Sequence, residues 1–256
     1  MILEHNKLYE QGLVSFRMKV NHFADQSVVT VVPIANLELP EALDWRRRGY
    51  VTEVKDQDKC GACWSFSATG ALEGQHYRRT GRLVSLSEQN LIDCAGGSDG
   101  GDGCDGGDME RAYKYVIANG GIDSERDYPF EKKGGPCRYS ARAAAATARD
   151  FVLLDEGDEE QLLRAVAAAG PVAAGIDSSP ASFHFYDEGV YSDEDCSSEH
   201  LDHAVLIAGY GRQDGRPYWL VKNSWGAGWG QGGYMRLARG EGNHCGVATY
   251  ASYPLV

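Results

Sequence analysis

The chain of 256 residues has no cysteine before Cys60, no excess of positive charge, no Asn-x-Ser/Thr sequon and no apolar run long enough to cross a bilayer. The nearest such run, Ala165 to Ile176, is alanine-rich and broken by Gly170-Pro171, well short of the roughly 20 residues that a spanning helix needs. A net charge of −12 argues against nucleic acid or a membrane surface as partner, since both are anionic. It fits work at low pH, where protonating carboxylates relieves self-repulsion, and it fits solubility alone equally well. Without a sequon, a glycan-based lysosomal address has no support. The first residues do not read as a secretory leader, because Glu4, His5 and Lys7 come too early after Met1 for a basic–apolar–small pattern. No internal repeat is visible.

What is present is an ordinary globular composition, 43% hydrophobic and 10% aromatic. The length suits one large domain or two small ones packed together. Seven cysteines are an odd number, which in an oxidising compartment suggests three bridges and one free thiol, with the connectivity left open. Bridges without a leader are in conflict, so the sequence is expected to lack part of its natural front.

Caps and periodicity predict a central helix over Trp64 to Arg79. Ala68, Gly70, Ala71 and Gly74 allow close packing there, Arg78 and Arg79 suit its negative end, and Gly81 stops it. Further helices are predicted over Ser87 to Cys94, Gly107 to Ala118 and Asp158 to Ala169. Strands are predicted at Val172 to Ile176, Ala204 to Gly209, Tyr218 to Lys222 and Tyr234 to Ala238. Helices first and strands later indicate an α+β chain of two lobes, with the alanine-rich stretch Ala141 to Ala148 as the crossing.

The chemistry concentrates in Gln57-Asp58-Lys59-Cys60-Gly61-Ala62-Cys63-Trp64. Cys63 would sit in the first turn of the central helix, where unpaired N–H groups and the positive end of the dipole favour a thiolate. A thiolate attacks carbonyl carbon readily. His203, at the start of an apolar run, is the candidate base, and Asn223 in Asn223-Ser224-Trp225-Gly226 the candidate orienter. Alone, His203 reads as a core histidine, Asn223 as a turn residue and Gln57 as an exposed amide. In this order, with the Cys-Gly-Ala-Cys-Trp signature, the chain resembles the papain family of cysteine proteases, and its cathepsin L branch most closely. The resemblance runs from about Leu39 to Val256 and includes Thr80 to Asn90, Gly103-Cys104-Asp105-Gly106-Gly107 and Ala251-Ser252-Tyr253-Pro254.

That resemblance implies a helical lobe of about 39–148, with the central helix starting at Cys63, and a β-barrel-like lobe of about 149–256, the active site lying in the cleft between them. It implies a cysteine endopeptidase with no cofactor, acting on protein and peptide substrates, a monomer open to cystatin-like or pro-region inhibitors, and lysosomal, endosomal or secreted. The bridges would be Cys60–Cys104, Cys94–Cys137 and Cys196–Cys245, leaving Cys63 free. Cys63 would be the nucleophile, His203 the general base, Asn223 the orienter with Trp225 as its shield and Asp202 beside it, and Gln57 the oxyanion donor. Gly106 and Gly107 would edge the substrate cleft. Asp108, Met109, Gly175, Leu201, Ala204 and Tyr250 would line the pocket for the second residue before the scissile bond, with a preference for Leu, Phe or Val. Tyr250 stands where alanine is common in cathepsin L and would shorten that pocket, while Asp108 could draw a basic residue to its rim. Trp229 resembles the tryptophan on the leaving-group side.

Residues 1–38 are expected to form a partial inhibitory pro-region, from Ile2-x-x-x-Asn6 and the motif within Ser15 to Asp25, with an unusually short link to Leu39. Three other readings compete. Cys60 and Cys63 could exchange disulfides, though no βαβ context precedes them. The same pair with His200 and His203 could hold zinc, though the histidine spacing is too short. The chain could also be a catalytically silent papain-fold binding protein.

Overall fold

The structure, a computed structural model, describes residues 39–95 and 103–256, all within one compact unit, Leu39–Val256. The expected pro-region and its link to Leu39 lie outside the described residues.

The central helix, α1 (Cys63–Thr80), begins one residue earlier than predicted and ends at left-handed Gly81, whose N–H returns to Tyr77 O. Its glycines are needed for approach to the sheet. A methyl at Gly70 would stand 2.8 Å from the Leu206 side chain, and one at Gly74 2.8 Å from the Pro171 ring. Two shorter helices pack on it. In α2 (Glu88–Cys94) the Ser87 hydroxyl caps Asn90 N–H, and in α3 (Met109–Asn119) the Asp108 carboxylate caps Arg111 N–H. Because Asp108 takes the cap, α3 starts two residues later than expected from Gly107, and Gly106 to Asp108 stay outside the helix at the rim of the cleft.

The strands are β1 (Leu43–Asp44), β2 (Ile122–Asp123), β3 (Ala144–Ala146), β4 (Asp150–Leu153), β5 (Val172–Ile176), β6 (Val190–Tyr191), β7 (His203–Gln213), β8 (Arg216–Lys222), β9 (Tyr234–Ala238) and β10 (Ala251–Leu255). Helix α4 (Glu159–Ala168), capped by Asp158, precedes β5, and the short α5 (Ala181–His184) precedes β6. Eight strands form one sheet in the order β4-β10-β5-β7-β8-β9-β6, with β1 added beside β7. Pairing runs as an open path, so the barrel-like expectation is corrected to an open mixed sheet within an α+β fold. The cause is visible at the ends, where β4 pairs with β10, and β6 with β9, each on one side.

Two buried clusters form. One gathers Trp219, Phe183, Ile176, Ile207 and Leu162 among the strands and α4. The other gathers Trp64, Leu72, Leu91, Met109 and Tyr113 among the helices, and takes Ala173, Ala204 and Leu206 from the sheet. The sheet therefore contributes to both, which holds the first turn of α1 against the start of β7. Among the described residues, no helix is long and apolar enough to cross a membrane.

Candidate active site

Three disulfides join Cys60 to Cys104, Cys94 to Cys137 and Cys196 to Cys245, and Cys63 is free. The first of these fastens the loop before α1 to the Gly103–Gly107 segment, where Gly61 N–H also donates to Cys104 O at 2.7 Å. A side chain at Gly61 would meet that carbonyl at 2.4 Å, and one at Gly107 would run into the Trp64 indole at 2.5 Å. Gly107 is thus a packing requirement. Gly106, at φ +120° with open space around its missing side chain, is the glycine that leaves backbone bare at the cleft.

The thiol of Cys63 opens α1 after Ala62, and no acidic residue lies in the first turn. It is half-buried in a cleft of about 480 Å³ whose walls include Gln57, Gly106, Gly107, Asp108, Met109, Gly175, Leu201, Asp202, His203, Ala204, Trp225 and Tyr250. Burial pushes the thiol pKa up, while the backbone N–H groups of Ala204 and Trp64 pull it down. Burial outweighs these amide contacts.

His203 is almost fully buried at the first residue of β7, and burial pushes its pKa down. Its Nε2 lies 2.8 Å from Asn223 Oδ1, which also accepts from Ser224 N–H at 2.8 Å. With the amide oxygen fixed by that second donor, His203 Nε2 is the protonated nitrogen, and Nδ1 keeps the free lone pair. The Trp225 ring covers the pair, 4.8 Å from the His203 ring. Asp202 instead accepts from Ser178 N–H and Oγ–H at 2.7 and 2.9 Å, acting on His203 through its field alone.

Gln57 is held from both ends. Its Oε1 accepts from Ser224 Oγ at 2.6 Å and its Nε2 donates to Cys60 O at 2.9 Å, which fixes the amide in the cleft wall. Gly175 leaves room between Leu201 and Tyr250, since a methyl there would lie 3.0 Å from Leu201 Cδ1. Trp229 is half-buried and packs against the strand-side cluster. It packs 5.4 Å from Trp225 and donates through Nε1 to His184 O.

Beneath the cleft lies an ion cluster that sequence reading missed. Lys55 bridges Glu88 at 2.7 Å and Glu73 at 3.7 Å, and Lys222, next to Asn223, donates to Thr52 Oγ1, which donates to Glu73. Burial alone would discharge Lys55, but the two glutamates hold it above the usual lysine range, whereas burial pushes Lys222 down. Ser178, Ser224 and Asp105 were also missed. Ser224 had a usable signal in its place between Asn223 and Trp225.

Two competing readings fail here. Cys60 is bonded to Cys104, so it can neither cycle with Cys63 nor join a zinc site with His200 and His203. A second trio, Cys196, His244 and Cys245, lies within 4.8 Å, but both sulfurs belong to the third disulfide.

A free cysteine at a helix mouth shares one cleft with a histidine bonded to an asparagine oxygen, the residue types that a thiol protease combines. Residues 39–255 match the papain family of cysteine proteases, and the chain belongs to that family. It is a cysteine-type endopeptidase. It is 49% identical to a cathepsin L-like peptidase of Aedes aegypti, covering 100% of this chain and 83% of that one, and 46% identical to human cathepsin L2, with 100% and 83% covered. Among solved structures, digestive procathepsin L 3 from the Tenebrio molitor larval midgut superposes with a TM-score of 0.83 at 44% identity, covering 100% of this chain and 88% of that chain.

Proposed function

We propose that the chain cleaves peptide bonds through an acyl-thioester, with Cys63 as nucleophile, His203 as proton carrier, Asn223 as orienter and Gln57 as oxyanion donor. The observation that carries this is the Asn223–His203 bond, which leaves Nδ1 as the lone pair available to the thiol. Cys63 adds to the carbonyl carbon, and the developing oxyanion takes N–H bonds from Gln57 and the Cys63 backbone. His203 protonates the departing amine, and water then releases the acyl group. Taken singly, each group is held neutral by burial. The resting ion pair therefore depends on the attraction of thiolate and imidazolium in a partly desolvated site.

The wall of Met109, Leu201, Ala204 and Tyr250 around Gly175 favours Leu, Phe or Val as the second residue before the cleaved bond. The chain works at acidic pH in a lysosomal, endosomal or secreted compartment; the three disulfides support an oxidising compartment, and the excess of carboxylates is compatible with low pH. Residues 1–38, when attached, act as a partial inhibitor.

The test is hydrolysis of a dipeptidyl coumarin amide near pH 5.5 under reducing conditions, before and after removal of residues 1–38. An epoxide probe should label Cys63 alone, and Cys63→Ser should abolish both signals. Absence of turnover in the trimmed protein would favour the silent binding protein instead.

A further inference from the structure

His184 ends α5, and its imidazole lies parallel to the Trp225 indole, with centroids 5.2 Å and planes 5° apart. Trp225 in turn lines the cleft and packs on the His203 ring. The position is firmly held. Phe183, fully buried, packs 5.6 Å from Trp225 and stacks 5.5 Å from Trp229, while Trp229 Nε1 donates to the His184 carbonyl at 3.1 Å. The imidazole itself is exposed, and among the described residues neither ring nitrogen has a hydrogen-bond or ion-pair partner. Its field reaches His203, which it pushes down.

Chemistry gives the place a direction. His203 hands its proton to the departing amine, so the segment attached to that amine leaves past His203 and across Trp225. His184 stacks on the same Trp225 ring. Asp105, Asp108 and Asp202 line the cleft and no lysine or arginine does, so His184 offers this face a basic side chain. Asp187 and Glu188, on the turn that follows, are exposed and screened by solvent.

We propose that His184 is a specificity residue, pairing with an acidic side chain in the first residues after the scissile bond, on the departing-amine role of His203 proposed above. An imidazole N–H can donate to a carboxylate, and both ring nitrogens of His184 are open to solvent. Its stacked ring is already ordered, which removes much of the entropy cost that weakens exposed ion pairs.

The experiment uses internally quenched peptides with Leu at the second position before the cleaved bond. Asp, Asn or Lys stands at the first or second position after it, and the assay is at pH 5.5. Wild type should favour Asp over the isosteric Asn in kcat/KM by about three- to fivefold, the scale of an exposed ion pair, and disfavour Lys. His184→Gln should bring the Asp/Asn ratio to about one, and His184→Arg should preserve it. Each ratio is internal to one enzyme, so it is independent of how much of a variant folds. An Asp/Asn ratio of one in wild type, or an undiminished ratio in His184→Gln, overturns the assignment. Wild-type failure on the coumarin amide, which carries no residue after the bond, would instead overturn the catalytic reading.

Discussion

Tyr250 donates a 3.4 Å hydrogen bond to Asp108 Oδ1, joining the strand side of the cleft to the N-terminus of α3. The same oxygen caps Arg111 N–H at 2.7 Å, so the contact is fixed at both ends. Burial first, and the Asp108 charge second, push the Tyr250 phenol up to about 12, and it stays a donor at any working pH. The ring therefore closes the far end of the pocket around Gly175. Tyr250→Ala should open that end and raise kcat/KM for Phe relative to Val as the second residue before the bond by about tenfold, the worth of a few extra buried methylenes. A positional peptide library reads the change, and an unaltered profile would refute the pocket assignment.

The ion-pair proposal makes a claim about reactivity that is separate from turnover. Burial raises the Cys63 pKa and its amide contacts only partly offset this, so loss of the imidazole should leave a neutral thiol. His203→Ala should slow alkylation of Cys63 by iodoacetamide at pH 6 by at least about 10²-fold, because a thiol of ordinary pKa near 8.5 is under about 1% ionised there. The rate in that variant should climb with pH into the alkaline range, whereas wild type should be flat from pH 5 to 8. Equal rates at pH 6 would show that the helix mouth ionises the sulfur unaided.

Much of this arrangement was legible before coordinates. The body of α1 was legible to within one residue at each end, with Gly81 marking its stop, and β5 and β9 followed from apolar runs bounded by turn residues. The terminal strand β10 was hidden because Ala251-Ser252-Tyr253-Pro254 lacks a β-branched run and contains proline; it is stabilised by pairing with β4 and β5. The ion cluster was hidden for a related reason. Lys55, Glu73, Glu88 and Lys222 are far apart in sequence, and nothing local distinguishes them from solvated charges. His184 gave no signal either, as its role depends on the Trp225 ring beside it.

Glu125 provides a pH-dependent stability test of that cluster. Burial, then the Glu88 charge, raises its carboxyl from 4.5 to about 7, while Phe130 N–H bonds its Oε1. Between those values the folded chain keeps a proton that the unfolded chain has released. Stability therefore falls as pH rises through that window and is level above it. Glu125→Gln keeps the acceptor for Phe130 and removes the titration. Its Tm should match wild type near pH 4.5 and exceed it above pH 7.5. A Tm difference that is the same at every pH would exclude Glu125 as the source.

Gln57 separates transition-state stabilisation from scaffolding, since its side chain also bonds Ser224 and Cys60 O. If its amide binds the oxyanion, Gln57→Ala should lower kcat by about 10²–10³, the usual loss for one such donor. Ground-state reactivity should barely change, because the Gln57 amide is hydrogen-bonded to Cys60 O and Ser224 Oγ and the imidazole to Asn223, and iodoacetamide alkylation at pH 6 should stay within about threefold of wild type. The alternative is that the loss of Ser224's partner lets the loop bearing Asn223 shift, in which case alkylation would fall in step with turnover. A parallel fall would assign Gln57 to holding Ser224 and Asn223 in place and leave the Cys63 backbone N–H as the oxyanion donor.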